Sequence, residues 1–377
     1  MTHLKAVKPK SGLPIHEEPQ HSYTLPSHLY LDKNIYEQEK RKIFYNHWHY
    51  AGHISQLTKT GDYLTARIAD ESIFVVRGQD DELRGFYNVC RHRAHQLLEG
   101  SGNTHNIVCP YHAWSYALTG ELRHARNSEK VPGFDKSEFC LQPVQVDTLC
   151  DFVFFNLDPD ADSLDSQAPG LAQDIQERVP ELSNLRAVES LTLGSAMAAN
   201  WKVVVDNFLE CYHCPPAHPD FATLFDMSNY QLDTFGTWSR QLGAKTRPKN
   251  TAYPFDSDAP VQSGAFWYLW PTTTINMTPG VPNLNVLSIL PLDHEKTSFS
   301  GHQYALDRDQ NYNLRQQYLT NILGPEDVAL CESTQRGLKS RSYDQGRFIV
   351  DSDLSGMAEH AVHQFHRLIL SALEPNG

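Results

Sequence analysis

The sequence predicts an α+β chain: an N-terminal arm and helix over 1–44, a β-rich module over 45–155 and a larger mixed domain over 156–377. Three observations predict it. A chain of 377 residues is long enough for two domains with ample core. The first half carries short apolar runs that end on cysteines, the mark of strands delivering side chains to loop tips. The second half holds apolar strand-like runs together with helical segments, one of which opens at Pro325. Periodicity alone gives α+β and nothing finer.

In chain order, the first twenty residues are polar and proline-bearing, which predicts an arm or a disordered tail. A charged helix follows over 31–44. Strands are predicted at 63–68 and 72–77, both rich in β-branched and aromatic residues. Residues 86–89 run into Cys90, and Ile107-Val108 into Cys109. Residues 114–118 alternate, Thr119-Gly120 signals a turn, and 152–157 is a further strand. A polar linker begins at Asp158, and 171–179 is a helix. Strands are predicted at 266–270, 272–277, 285–290 and 298–306, then a helix opening at Pro325 and a last helix over 356–373. No internal repeat is present.

The chemistry sits in two clusters. The first is Cys90-Arg91-His92, sixteen residues, then Cys109-Pro110-Tyr111-His112. Two thiolates can hold one iron of a [2Fe–2S] unit and two imidazoles the other, which raises its reduction potential. A Cys2His2 zinc site needs the same four residues. Zinc sites usually group like ligands in pairs, whereas here Cys and His alternate, as a cluster with two unlike irons requires.

The second cluster is Glu210-Cys211-Tyr212-His213-Cys214-Pro215-Pro216-Ala217-His218. On an ideal helix His213 and His218 would be about 500° apart, off a common face. The two prolines break the helix between them and can redirect the second imidazole. Two histidines and a carboxylate on one face of Fe(II) leave positions open for dioxygen and substrate. Among 19 histidines, chance pairs are expected, and it is the surrounding segment 207–213 that lifts this one. Cys211 and Cys214 are assigned to packing.

Together these segments resemble the oxygenase (alpha) subunit of a Rieske non-haem iron oxygenase, from about Leu25 to the C-terminus. Arg91 stands where many members have Pro and Ala94 where many have Gly. The resemblance implies a helix-grip catalytic domain, a Rieske [2Fe–2S] cluster on Cys90, His92, Cys109 and His112, and mononuclear Fe(II) on His213, His218 and Asp327, with Glu326 and Glu332 as local competitors for the third place. It implies that Glu210 is an inter-subunit electron bridge, joining a Rieske histidine (His92 or His112) of one chain to His213 of the next, and hence a homotrimer. Most ring-hydroxylating members carry Asp there. Glu resembles the subgroup acting on quaternary ammonium compounds of the carnitine and betaine type. The segments Asn200-Trp201-Lys202, Val205-Asp206-Asn207, Gly337-Leu338-Lys339-Ser340-Arg341 and Gln345-Gly346-Arg347 carry that likeness, nearest to the carnitine-oxidising members.

The implied activity is a two-component monooxygenase reaction. Oxygen from O2 enters a C–H bond at or near the quaternary nitrogen, and the carbinolamine collapses to an amine and an aldehyde. The chain has no dinucleotide fingerprint, so an NAD(P)H-dependent reductase is the expected partner. The alternatives are an aromatic-ring dioxygenase or O-demethylase with the same metals, and a non-catalytic Rieske carrier, against which the second cluster and the length argue.

A cationic substrate also suits the aromatic run 266–270. Period two puts Phe266, Tyr268 and Trp270 on one face, and aromatic faces attract quaternary ammonium groups by about 2 kcal/mol or more when desolvated. These three, with Tyr304, are the expected pocket residues; the alternative is plain sheet core. A net charge of −13 argues against nucleic-acid and anionic-membrane partners. Seven cysteines, two assigned to the cluster and five without disulfide-like spacing, predict a reducing cytoplasm. No run reads as a membrane span or a secretory leader.

Overall fold

The structure is a computed structural model that describes residues 12–192 and 196–374. Its strands are β1 (His49–His53), β2 (Asp62–Ile68), β3 (Glu71–Arg77), β4 (Leu83–Tyr87), β5 (Ser101–Asn103), β6 (Ile107–Val108), β7 (Ser115–Tyr116), β8 (Leu122–His124), β9 (Pro143–Leu149) and β10 (Phe152–Asn156) in the first domain. The second holds β11 (Arg186–Thr192), β12 (Tyr230–Thr234), β13 (Trp238–Gly243), β14 (Gly264–Leu269), β15 (Thr273–Met277), β16 (Asn283–Asp293) and β17 (Lys296–Ala305).

In the first domain a seven-stranded sheet runs β1-β10-β9-β4-β3-β2-β5, and a three-stranded sheet, β6-β7-β8, carries the second cysteine loop. Period two explains its two cores. Along β3, Phe74 and Val76 face a core that holds Cys90, Cys109, Trp114 and Tyr116. Ile73 and Val75 face the main core with Trp201 and Phe365. On β10, Val153 and Phe155 join that main core, while Phe152 and Phe154 meet Trp267 and Tyr304 of the other domain. The domains are therefore fused through alternate residues of one strand.

The second domain is a seven-stranded antiparallel sheet, β11-β17-β16-β15-β14-β13-β12. Its helices are Leu171–Arg178, Trp201–Phe208, Gln310–Tyr318, Gly324–Leu338 and His360–Leu373, with short turns between. Asn200 caps Trp201–Phe208 by accepting from the Lys202 N–H. That helix is buried from Trp201 to Val205, and its lysine, Lys202, is wholly buried with Nζ 2.5 Å from Glu39 Oε1. Trp201 Nε1 donates to the same carboxylate at 2.8 Å, so the N-terminal helix Lys33–Glu39 is locked to the helix that leads into the 210–218 segment.

Three expectations are corrected. The 31–44 helix is divided at Asp32, whose carboxylate accepts from Asn34 N and starts a new helix, Lys33–Glu39, while a turn of helix, His28–Leu31, precedes it. The described part of the N-terminal arm is docked: Leu13 N donates to Gln345 Oε1 and Gln345 Nε2 donates to Leu13 O; residues 1–11 lie outside the described residues. The last helix begins at His360 because Gly356 is bound elsewhere, its N–H on Tyr230 O and its carbonyl accepting from Cys211 N. Any Cβ at Gly356 would lie 1.9 Å from the Tyr230 ring. Among the described residues no helix is long and apolar enough to cross a membrane.

Candidate metal centres and active-site cavity

The two cysteine loops are conformational copies. Cys90 N donates to His95 O and Ala94 N to Cys90 O; Cys109 N donates to Trp114 O and Ala113 N to Cys109 O. In each, the fourth residue after the cysteine is left-handed: Ala94 at φ 56° and Ala113 at φ 58°. Both thiols are buried, each cysteine 2% exposed, and burial pushes the Cys90 thiol up. Tyr116 Oη lies 3.3 Å from Cys90 Sγ and accepts from Arg91 N. His92 and His112 instead reach the surface, their ring centroids 4.7 Å apart, with His92 stacked on Trp114. Arg93 lies against His112 and over Tyr111. Two buried sulfurs and two convergent surface imidazoles fit a [2Fe–2S] cluster with its histidine edge turned outward.

The second cluster closes in space. His213 begins the short helix Cys214–Ala217, which Pro215 and Pro216 open, and His218 ends it at φ −125°, ψ 62°. The break turns both rings toward Asp327 on Gly324–Leu338. The three ligand atoms all lie within 4.8 Å of one another. His218 Nε2 is 2.8 Å and His213 Nε2 3.7 Å from Asp327 Oδ1. Each ring's other nitrogen is held by a second carboxylate: His213 Nδ1 is 2.5 Å from Glu210 Oε1, and His218 Nδ1 is 2.7 Å from Glu326 Oε2. Such partners fix ring orientation and leave Nε2 to face a metal. Burial disfavours charge on His213, yet Asp327 and Glu210 raise it to about 9. Burial likewise opposes ionisation of Asp327, and the two histidines overcome it, holding the carboxyl below its ordinary value. This donor set fits a mononuclear Fe(II).

Glu326 is therefore placed on the far side of His218 rather than among the three converging atoms. Nothing in the linear sequence marks that role. Glu332 accepts from Ala198 N at 3.0 Å. Cys211 and Cys214 are corrected from packing residues to a disulfide, since the turn around His213 brings their Cα atoms to 4.9 Å.

A cavity of about 660 Å³ joins His213, His218 and Asp327 to the inner face of the sheet. Of the four expected pocket aromatics only Phe266 lines it. Tyr268 shares the Phe266 face but packs on Phe365 of the last helix, and Trp270 lies between Trp201 and Phe365. Tyr304 points to the opposite face of β17, where its hydroxyl meets Tyr50 at 2.5 Å. The last helix covers one end of the face and period two turns Tyr304 away.

A Rieske [2Fe-2S] domain model matches residues 47–135, and the model of the ring hydroxylating alpha subunit catalytic domain matches residues 180–374. The chain belongs to the Rieske non-haem iron oxygenases, enzymes that use a Rieske cluster and a mononuclear iron. It is 41% identical over 356 residues to the carnitine monooxygenase oxygenase subunit of Escherichia coli (strain K12), covering 93% of this chain and 94% of the relative. The corresponding subunit of Acinetobacter baumannii is 37% identical over 93% of the chain and 95% of its own length. The chloroplastic choline monooxygenase of Spinacia oleracea is 29% identical over 92% of the chain and 78% of the relative. A solved quaternary ammonium Rieske monooxygenase with its substrate L-carnitine superposes with a TM-score of 0.85 at 36% identity, over 95% of this chain and 97% of that one. An oxygenase subunit of this kind works with a separate reductase on a small-molecule substrate.

Proposed function

We propose that this chain is the oxygenase component of a two-component monooxygenase that hydroxylates a quaternary ammonium compound of the carnitine or betaine type, leading to C–N cleavage or N-demethylation. One observation carries this reading: the His213, His218 and Asp327 triad opens onto the Phe266 cavity in a chain 41% identical to a carnitine monooxygenase subunit. Iron bound there supplies the activation of O2. The chain's own part is positional. His213, His218 and Asp327 hold the metal; Glu210 and Glu326 hold the Nδ1 sides of the two rings. Phe266 offers a π-face to the cation.

Glu210 is proposed as the inter-subunit bridge. Its Oε1 holds His213 Nδ1 and its Oε2 accepts the His213 N–H at 3.0 Å. The remaining lone pairs can accept from His92 or His112 at the surface of a neighbouring chain, which implies a homotrimer. An NAD(P)H-dependent reductase and a cytoplasmic location complete the reading.

The test is substrate-dependent O2 uptake over carnitine, glycine betaine, proline betaine and choline, with formaldehyde and released amine both measured. Formaldehyde marks demethylation; trimethylamine marks cleavage of the longer chain. Uptake with none of these, alongside uptake with an aromatic substrate, would overturn the proposal.

A further inference from the structure

Three of the seven cysteines, Cys211, Cys214 and Cys331, line the cavity that holds His213, His218 and Asp327. Two of them are joined, and the Cys211–Cys214 disulfide brackets His213. Cys331 stands apart with its Sγ 4.0 Å from Val203 O, and burial pushes its thiol up, so it stays protonated and a poor nucleophile. Among the described residues the chain thus carries one oxidised pair beside five free cysteines. In the reducing cytoplasm proposed for this chain, a disulfide is ordinarily transient, catalytic or redox-sensing.

The place of this bond in the chain gives it a task. Cys211 is anchored to the sheet: its N–H donates to Gly356 O at 3.2 Å, and Gly356 N donates to Tyr230 O on β12 at 2.7 Å. Cys214 opens the helix Cys214–Ala217, which has His213 at one end and His218 at the other. That helix is weak on its own. It has four residues, far fewer than a helix needs to persist unaided, and Pro215 and Pro216 contribute no N–H. Cys214 N donates to Cys211 O at 3.1 Å and His218 N to Cys214 O at 2.8 Å. The S–S bond is the covalent tie between the sheet-anchored residue and the helix that aims both imidazoles.

From this arrangement we infer that Cys211 and Cys214 are a redox-controlled clamp on the iron ligands: the disulfide holds His213 and His218 in their converging geometry, and reduction to the dithiol loosens the metal. The oxidant is hydrogen peroxide, formed when dioxygen takes up two electrons and two protons without attacking substrate. The two thiols give up two electrons and two protons, the S–S bond forms, the O–O bond breaks and two waters leave. The reductant is a dithiol. Its thiolate attacks one sulfur of the pair, a mixed disulfide forms, and its second thiol displaces the protein and carries away the new S–S bond. Both protein sulfurs line the cavity, so peroxide that arises there meets them before it reaches bulk water. The clamp is independent of which substrate the cavity takes. It lets the chain keep its iron while dioxygen is turned over and yield it as the surroundings become reducing.

The test uses the assembled holoenzyme in two states: isolated in air, and reduced by a trialkylphosphine that is then removed under anaerobic conditions. Alkylation after unfolding should count five thiols in the first state and seven in the second. Release of the mononuclear iron to a chelator should be at least about tenfold faster from the reduced protein, the scale on which groups that orient metal ligands act, with the Rieske absorption unchanged. In protein stripped of that iron, reduction should speed amide exchange across 211–218 and leave the Rieske domain protected. One equivalent of hydrogen peroxide, added to the stripped and reduced protein before iron is restored, should return the count to five and slow the release again. Cys211→Ser and Cys214→Ser should release iron at the reduced rate with or without phosphine, whereas Cys331→Ser should respond as wild type does. Equal iron release from the two states of wild type, or the same thiol count in both, overturns the clamp. Fast release accompanied by loss of the Rieske absorption marks general unfolding and overturns it as well.

Discussion

His218 is gripped at both nitrogens, by Asp327 at 2.8 Å and Glu326 at 2.7 Å. Glu326→Gln keeps the shape and loses the charge that orients the ring. Iron affinity or turnover should fall about 10- to 100-fold, the usual effect of such outer partners, with the Rieske absorption intact. Iron content and visible spectra check this; unchanged iron retention would remove Glu326 from the site. His213→Ala or His218→Ala should abolish turnover and spare that absorption, while Cys90→Ser or Cys109→Ser should abolish the absorption. The candidate ligands were legible because their chemistry demands fixed residue types at short spacing. Glu326 was not, because a carboxylate that orients a ring is defined by a contact 108 residues away in sequence. Ala94 is left-handed, at φ 56°, a conformation that glycine would take without strain.

The helix Trp201–Phe208 depends on Lys202 and Glu39, both fully buried. Burial drives the Lys202 ammonium below its ordinary value although Glu39 opposes that. Removing one partner strands the other charge. Glu39→Gln should therefore cost about 3–5 kcal/mol of stability, while Glu39→Leu with Lys202→Met should cost less, the remainder being the Trp201 N–H left without its acceptor. Denaturant melts of the single and double variants decide it; additive losses would show that the pair is not coupled. The apolar runs that became β3 and β10 were readable because burial on both faces leaves few polar residues. Which face each residue takes was less so. Phe266 and Tyr268 share a face by period, yet the last helix covers only Tyr268. Tyr304 was misplaced because a strand of ten residues, Lys296–Ala305, offers no sign in its own sequence of which face meets the other domain.

Across the full chain, the sulfurs of the first centre are buried while its imidazoles face outward, and the iron triad lies inside a cavity. If Glu210 joins the two centres of different chains, Glu210→Gln should leave a folded trimer that carries both metals and reduces normally, with product formation down at least about tenfold. Glu210→Asp should be partly active. Size-exclusion mass, iron content and single-turnover yield test this together. Full activity in Glu210→Gln, or in a monomer, would exclude the route. Wild type should hold three irons per chain, two in the cluster and one on the triad. A mild chelator should strip the triad first, since it opens on the cavity while the cysteines are 2% exposed.

The outward-facing imidazoles have a genetic consequence. Suppose a Cys90→Ser chain, dead at the cluster, is co-assembled in equal amount with a His213→Ala chain, dead at the iron. Each homo-oligomer is inactive. If Glu210 joins the two centres of neighbouring chains, each mixed trimer has one interface in three that sets a living cluster beside a living iron, so two inert gene products would complement each other in one cell. Wiring within a single chain allows no such rescue, whatever the mixture.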